Sequence, residues 1–451
     1  MRLRLRRMNV CLMNDSFPPC IDGVANAVVN YGRILSANGD AVTVVTPAYP
    51  GVSDEGYPFP VVRYASLDTT RQVGYRTGLP FSPEVIASLE DRGFDLIHTH
   101  CPVTATMLAR ALRERADCPV VLTYHTKFDI DIANAIRGRL LQEEAKRLLV
   151  ENISSCDEVW TVSRGAGENL RGLGYEGEIT VMPNGVDLPV GRAESGLVRT
   201  VTGEYDLPDG VPVLLFVGRM MWYKGIRLIL DALCALQNEG TDFRMVFVGG
   251  GEDREEIIRC AHSLGLDGRT IFVEPEHDRE RIRAWYTRSD LFLFPSTFDT
   301  NGLVVREAAA CSLPCVLVRG SCASEGITDG VNGFLMEENA AYLAGKLRLL
   351  IPEPETLRRV GECASRELYV SWEEAVASAR EQYGAVLEKY RSGGYPPHRD
   401  FTDELLRRAA PALSHIGHDR ERLRGQLTEW NTEHRRELQD FLERYYHDRF
   451  L

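Results

Sequence analysis

Short apolar runs alternate with longer amphipathic stretches along the chain, and each run ends in Gly, Pro, Asn or Ser. The first series occupies residues 9–13, 41–45, 94–98, 119–124, 158–162 and 179–182. Apolar side chains follow one another directly within these runs, the pattern of parallel strands covered by helices on both faces. They predict an α/β domain with a doubly wound sheet over residues 8–187. Between Asp187 and Pro212 the pattern lapses into a stretch with Pro, Gly and Asp and no period, which marks a domain boundary. It restarts at 213–217, 245–248, 271–273, 291–294 and 315–318, predicting a second domain of the same kind over 188–370. Two such domains in series leave a cleft between the carboxyl ends of their strands, where these sheets bind ligands. An apolar stripe over 371–392 predicts a helix packing back toward the first domain. Beyond a loop rich in Gly and Pro, Leu423, Leu427, Trp430, Leu438, Phe441 and Tyr445 recur at helical spacing. Residues 393–451 are therefore expected to form an amphipathic helical tail, docked on its own protein or meeting a dimer partner or a membrane.

A length of 451 residues suits two or three domains, and 44% hydrophobic residues can fill a core for each. The 52 Lys and Arg stand against 65 Asp and Glu, a net charge of −13. That balance opposes electrostatic wrapping of nucleic acid, and no nucleic-acid partner is expected. No apolar run reaches the roughly 18–20 residues that span a bilayer. The 11 cysteines include no CxxC pair, so reduced thiols and a cytoplasmic location are expected. Cys311, Cys315 and Cys322 lie near one another without a neighbouring His, and read as buried small side chains rather than zinc ligands.

Chemistry concentrates in two places. Residues 218–225 follow the first strand of the second domain and hold Gly218, Arg219, Lys224 and Gly225. Two cations five residues apart at a strand end, with glycines that let backbone approach, suit a diphosphate. Such a pair is common after strands, so its context decides. In 295–308, strand, loop and helix meet. Free N–H groups of Asn301, Gly302 and Leu303 at the helix start can bind a second side of the same phosphate. Asp299 lies in the loop and Glu307 about a turn and a half into the helix, so the two carboxylates can address hydroxyls at opposite ends of one ligand. A glycosidase also uses two carboxylates, but it has no need for cations and a helix start converging beside them.

Further segments stand in order around these two: Pro18, Pro19 and Gly23 in the first strand–helix loop, Tyr124, His125 and Thr126, then 183–187 and 325–333. In these motifs, over roughly residues 8–390, the chain resembles glycosyltransferase family 4 of the GT-B architecture. The resemblance implies two Rossmann-like domains facing across a cleft and a retaining, metal-independent hexosyltransferase. Its partner would be a nucleotide sugar, with no separate cofactor. In that family's terms Arg219 and Lys224 would hold the donor diphosphate, with Gly218 beside them. The Asn301, Gly302 and Leu303 amides would cap the diphosphate and Glu307 would bind the ribose. Asp299 would bind sugar hydroxyls, His125 would approach the reacting carbon, and Gly23 would bring the first domain's backbone to the phosphate. His125 has the alternative of a strand-end histidine satisfied by backbone, and His98 and His100 are expected to be structural or acceptor-side. The family usually has Glu at position 299 and Gly at position 312, where this chain has Asp299 and Ser312.

Stretches 23–25, 75–81, 98–102 and 123–126 look like the branch that glucosylates diacylglycerol. That likeness implies glucose from UDP-glucose, a lipid acceptor and peripheral contact with an anionic membrane at its inner face. Arg137, Arg139, Lys146 and Arg147, interleaved with Leu140, Leu141, Leu148 and Leu149, suit an interfacial helix; Glu143, Glu144 and Glu151 dilute its basic face, and a solvated helix covering the sheet fits as well. Other outcomes are a mannosyl- or galactosyltransferase acting on a phosphoinositide or saccharide, a nucleotide-sugar epimerase, or a noncatalytic nucleotide-sugar binder. Oligomeric state is left open.

Overall fold

The computed structural model describes residues 7–396 apart from 21, 71–75, 81–82 and 136–137. Residues 397–451 of the tail expected over 393–451, and Arg137 of the expected basic face, lie outside the described residues. Parallel strands β1 (Asn9–Met13), β2 (Ala41–Pro47) and β3 (Val61–Tyr64) lead into a small antiparallel pair, β4 (Ser66–Leu67) and β5 (Thr77–Gly78). Strands β6 (Leu96–Thr99), β7 (Val120–Tyr124), β8 (Glu158–Thr161) and β9 (Thr180–Val181) complete the first sheet, in the order β3-β2-β1-β6-β7-β8-β9. The second sheet comprises β10 (Val213–Val217), β11 (Arg244–Val248), β12 (Thr270–Val273), β13 (Leu291–Phe294), β14 (Cys315–Val318) and β15 (Phe334–Met336), in the order β12-β11-β10-β13-β14-β15.

Both sheets are parallel, with helices between most successive strands, and β1, β7, β10, β13 and β14 are almost wholly buried. Continuous apolar runs form here because helices cover both faces. The expected strands lacked β3, the β4–β5 pair and β15. Val61–Tyr64 is a half-exposed edge strand containing Arg63, and Phe334–Met336 has only three residues, too few to establish a period. Strand order reverses between β1 and β6 in the first domain and between β10 and β13 in the second. At such switch points neighbouring loops part and open a crevice.

The linker runs through a tight crossing. Val186 pairs with Ser371, and a Cβ on Gly185 would lie 2.4 Å from the backbone N and Cα of Trp372. Only a residue without a side chain lets the chain cross its own return path this closely. Leu188 already belongs to the second domain's core. The helix Trp372–Arg391 opens with a capping box between Ser371 and Glu374. It packs on the first domain, where Trp372, Val376, Ala379 and Tyr383 join the core of Val10, Leu12, Val28 and Leu35. Its Arg380 pairs at 2.6 Å with Asp40, whose side chain is fully buried.

Ser312 sits just past the helix Leu303–Ala310 at φ 57, in the left-handed region that favours glycine. Its N–H reaches the Ala309 carbonyl and that of Leu313 reaches Ala308, both at 2.9 Å, a Schellman-type helix end. Cys311, Cys315 and Cys322 are buried. Among the described residues no group of three His, Cys, Asp or Glu is placed to hold a metal ion, and no helix is long and apolar enough to cross a membrane.

Candidate active site

Loops at the two switch points face each other, and the second-domain loops carry the expected donor residues. After β10 the chain makes a short turn, Trp222–Lys224, ending at Gly225 with φ 78. A Cβ on Gly225 would meet the Pro295 carbonyl oxygen at 2.4 Å. Glycine thus lets this turn press against the loop that leaves β13, and Lys224 enters that loop. Its Nζ lies 2.7 Å from Oδ1 and 2.8 Å from Oδ2 of Asp299. Lys224 is buried, and burial lowers its pKa against the opposing effect of Asp299; nearby Arg219 lowers it too. Arg219, two residues past β10, is exposed.

Gly302 caps the helix Leu303–Ala310 at φ 59, where a Cβ would lie 2.9 Å from Ala323. Among the described residues the N–H groups of Asn301, Gly302 and Leu303 have no protein acceptor, so they remain available as orphan donors of a helix start. The side-chain amide of Asn301 is buried with neither its nitrogen nor its oxygen partnered. Glu307 is buried and already held: Arg279 Nη2 donates to Oε1 at 2.5 Å, and Tyr286 donates to Oε2 at 2.9 Å. Sequence reasoning missed both partners. They come from the helix Arg279–Arg288, 21 and 28 residues away, and no spacing rule links them to Glu307.

From the first domain, Gly23 begins a helix whose N-cap, Asp22, accepts from Val24 and Ala25. A Cβ on Gly23 would sit 3.8 Å from Leu303 Cδ1, so the two helix starts meet across the cleft. His125, at the end of β7, is buried. Its Nε2 lies 3.0 Å from His100 Nδ1 and its Nδ1 lies 3.5 Å from the Asn184 amide. Behind them, His98 contacts Tyr383 Oη at 2.6 Å and Thr123 Oγ1 at 2.7 Å. Burial pushes all three imidazoles below their usual pKa, His125 to about 3. They are neutral at physiological pH, and a single proton lies between His100 and His125. His98 and His100, kept apart from the catalytic set, prove to be the support behind His125.

Cross-cleft bonds complete the frame. Thr300 donates to the His125 carbonyl at 2.6 Å, Ser163 donates to the Thr300 carbonyl at 2.5 Å, and Lys127 donates to the Thr297 carbonyl at 3.1 Å. Glu325 accepts from the amides of Arg164 and Gly165 at 2.8 and 2.6 Å. The helix Arg139–Ser154 stands on the first domain with Leu140, Leu141 and Leu148 exposed and Leu149 buried.

Two parallel-sheet domains, closed over a cleft that gathers cations, carboxylates and a helix start, define a GT-B glycosyltransferase. Among solved structures, Anabaena HepE in complex with UDP superposes with a TM-score of 0.69 at 18% identity, covering 85% of this chain and 100% of that one. Sucrose-phosphate synthase from Thermosynechococcus elongatus superposes with the same TM-score at 21% identity, over 85% and 100% of the two chains. The chain belongs to glycosyltransferase family 4: the profile described as Glycosyltransferase Family 4 matches residues 21–189, and the one described as Glycosyl transferases group 1 matches 200–367. Its relatives include the sulfoquinovosyl transferase of Arabidopsis thaliana, 26% identical over 82% of this chain and 72% of that protein. A D-inositol 3-phosphate glycosyltransferase of Xylanimonas cellulosilytica is 29% identical over 66% and 73%. The alpha-monoglucosyldiacylglycerol synthase of Acholeplasma laidlawii is 24% identical over 74% and 85%.

Proposed function

We infer that this protein moves a hexose, glucose from UDP-glucose, to a hydroxyl of a membrane lipid such as diacylglycerol, with retention of anomeric configuration and without a metal. One observation supports the glycosyl-transfer part: Lys224, held by Asp299, and the free amides of 301–303 belong to adjoining loops at the second switch point, where Leu303 faces Gly23 and Thr300 bonds the His125 carbonyl of the first domain. In transfer the bond from the anomeric carbon to the diphosphate oxygen breaks. A bond from that carbon to the acceptor oxygen forms on the same face, and the departing oxygen takes the acceptor's proton. Negative charge grows on the leaving oxygen. Fixed donors aimed at it stabilise the transition state more than the ground state, and here that work falls to Arg219, Lys224 and the helix amides. Glu307, oriented by Arg279 and Tyr286, binds the ribose hydroxyls. Neutral His125, backed by His100, faces the reacting carbon.

Glucose and diacylglycerol draw support from the glucosyldiacylglycerol synthase among the relatives and from the exposed Leu140, Leu141 and Leu148. In that helix Lys146 pairs with Glu143 and Arg147 with Glu144, so apolar insertion contributes more to membrane contact than charge does. Purified protein, incubated with labelled UDP-glucose, UDP-galactose and GDP-mannose plus lipid extract and a chelator, is expected to place label from UDP-glucose on diacylglycerol. Label on an inositol phosphate or a sugar would replace the acceptor. Loss of activity with the chelator would overturn metal independence, and donor conversion without any acceptor would make the protein an epimerase.

A further inference from the structure

Resting on the donor site described above, we propose that Asp299 serves as the fixed counter-charge of Lys224, a role beyond the contact with sugar hydroxyls that the family resemblance implies. The ammonium of Lys224 lies in an apolar slot. Ring centroids of Tyr223, Phe294 and Phe298 stand 5.7, 5.8 and 5.8 Å from its Nζ. Such rings attract a cation but replace little of its hydration, and a buried ammonium needs a hydrogen-bonded anion. Asp299 meets that need with both carboxylate oxygens, at 2.7 and 2.8 Å. The fork occupies two of the three N–H donors of Lys224 and leaves one for a diphosphate oxygen.

The chain's own departure from the family fits this geometry. Gly225 draws the Trp222–Lys224 turn onto Pro295, so the lysine arrives close to the loop backbone. At that distance the shorter Asp side chain faces Nζ squarely, whereas Glu would carry its carboxylate one methylene further. With both oxygens turned to Nζ, the carboxylate of Asp299 is fixed in place by the lysine and keeps one lone pair on each oxygen.

Two charges face Lys224: Asp299 from the loop after β13, which favours the ammonium, and Arg219 from the loop after β10, which disfavours it together with burial. The phenol-bearing Tyr223 touches it through its ring. Removing the carboxylate leaves only the two unfavourable influences, so Lys224 loses its proton at lower pH and its hold on a diphosphate fades there.

The test is calorimetric binding of UDP and GDP, which carry the diphosphate but no sugar, from neutral to alkaline pH. With Asp299→Asn, and with Asp299→Ser as the second variant, the pH at which nucleotide binding fades should drop by about one unit or more. Asp299→Glu should recover part of the shift. In a Lys224→Met background Asp299→Asn should leave the alkaline profile unchanged. Should the Asn and Ser profiles superimpose on the wild type while only nucleotide-sugar binding weakens, Asp299 is a sugar reader alone and the proposal fails. Wild-type protein that binds neither nucleotide at any pH would instead sink the donor-site assignment itself.

Discussion

A lysine held in an aromatic slot can contribute to catalysis only while it stays charged and aimed. Lys224→Ala removes a preorganised donor from the leaving diphosphate, and turnover should fall about 100-fold or more, measured as initial rates at saturating donor. A loss under about threefold would take Lys224 out of the site. The histidine chain makes a second prediction at this scale. His98, His100 and His125 are held below their ordinary pKa by burial. Below the unfolded value of about 6.5 the unfolded chain takes up protons that the folded chain refuses, so their stabilising contribution is complete above that pH and is lost as pH falls toward the folded values. Each adds up to about 1.4 kcal/mol per pH unit in that window. Asp15, whose carboxyl burial pushes upward, opposes them at the acid end. Thermal melts should therefore fall steeply below about pH 6.5, and His98→Gln should flatten the slope; melts independent of pH down to about 5 would contradict this.

At the scale of elements, strand runs and helix caps follow from neighbours in sequence, and most were legible there. Residues 213–217 and 291–294 read as strands because every position is apolar, and both form as such. Val61–Tyr64 did not read so, since an edge strand with one exposed face and an Arg in it lacks the buried signature. The helix Leu303–Ala310 was placed by its Gly302 start, and its end shows what a departure from family habit costs. Ser312 bears a side chain at φ 57, where L-residues are strained by about 1 kcal/mol. Ser312→Gly relieves that strain but adds unfolded-state freedom, so a net gain of about 0.5 kcal/mol in denaturant unfolding is expected. A loss would mean the serine side chain is doing something at this helix end beyond filling space.

Across the whole molecule, closure rests on a few polar bonds between domains, with Glu325 gripping two amides at a helix start, where a carboxylate is favoured. Glu325→Ala should loosen this grip. Small-angle scattering of the nucleotide-free protein should report a larger radius of gyration, and donor KM should rise several-fold with less change in kcat. An unchanged radius together with an unchanged KM would show that the remaining bonds hold the cleft without it. The helix Trp372–Arg391 ties into the same frame, since its Tyr383 reaches His98 behind the candidate catalytic histidine.

The linear order of residues determined the two-domain alternation, the cleft at the strand ends, the glycine-ended turn that holds Lys224 and the helix start at Gly302. These depend on periodicity and on backbone freedom within a few residues. Only the tertiary structure decided that Lys224 and Asp299 hold each other, that Arg279 and Tyr286 hold Glu307, and that a tyrosine 285 residues away supports His98. Such pairings depend on which loops the strand order brings together and how closely a glycine lets them approach, and distance along the chain carries no record of either.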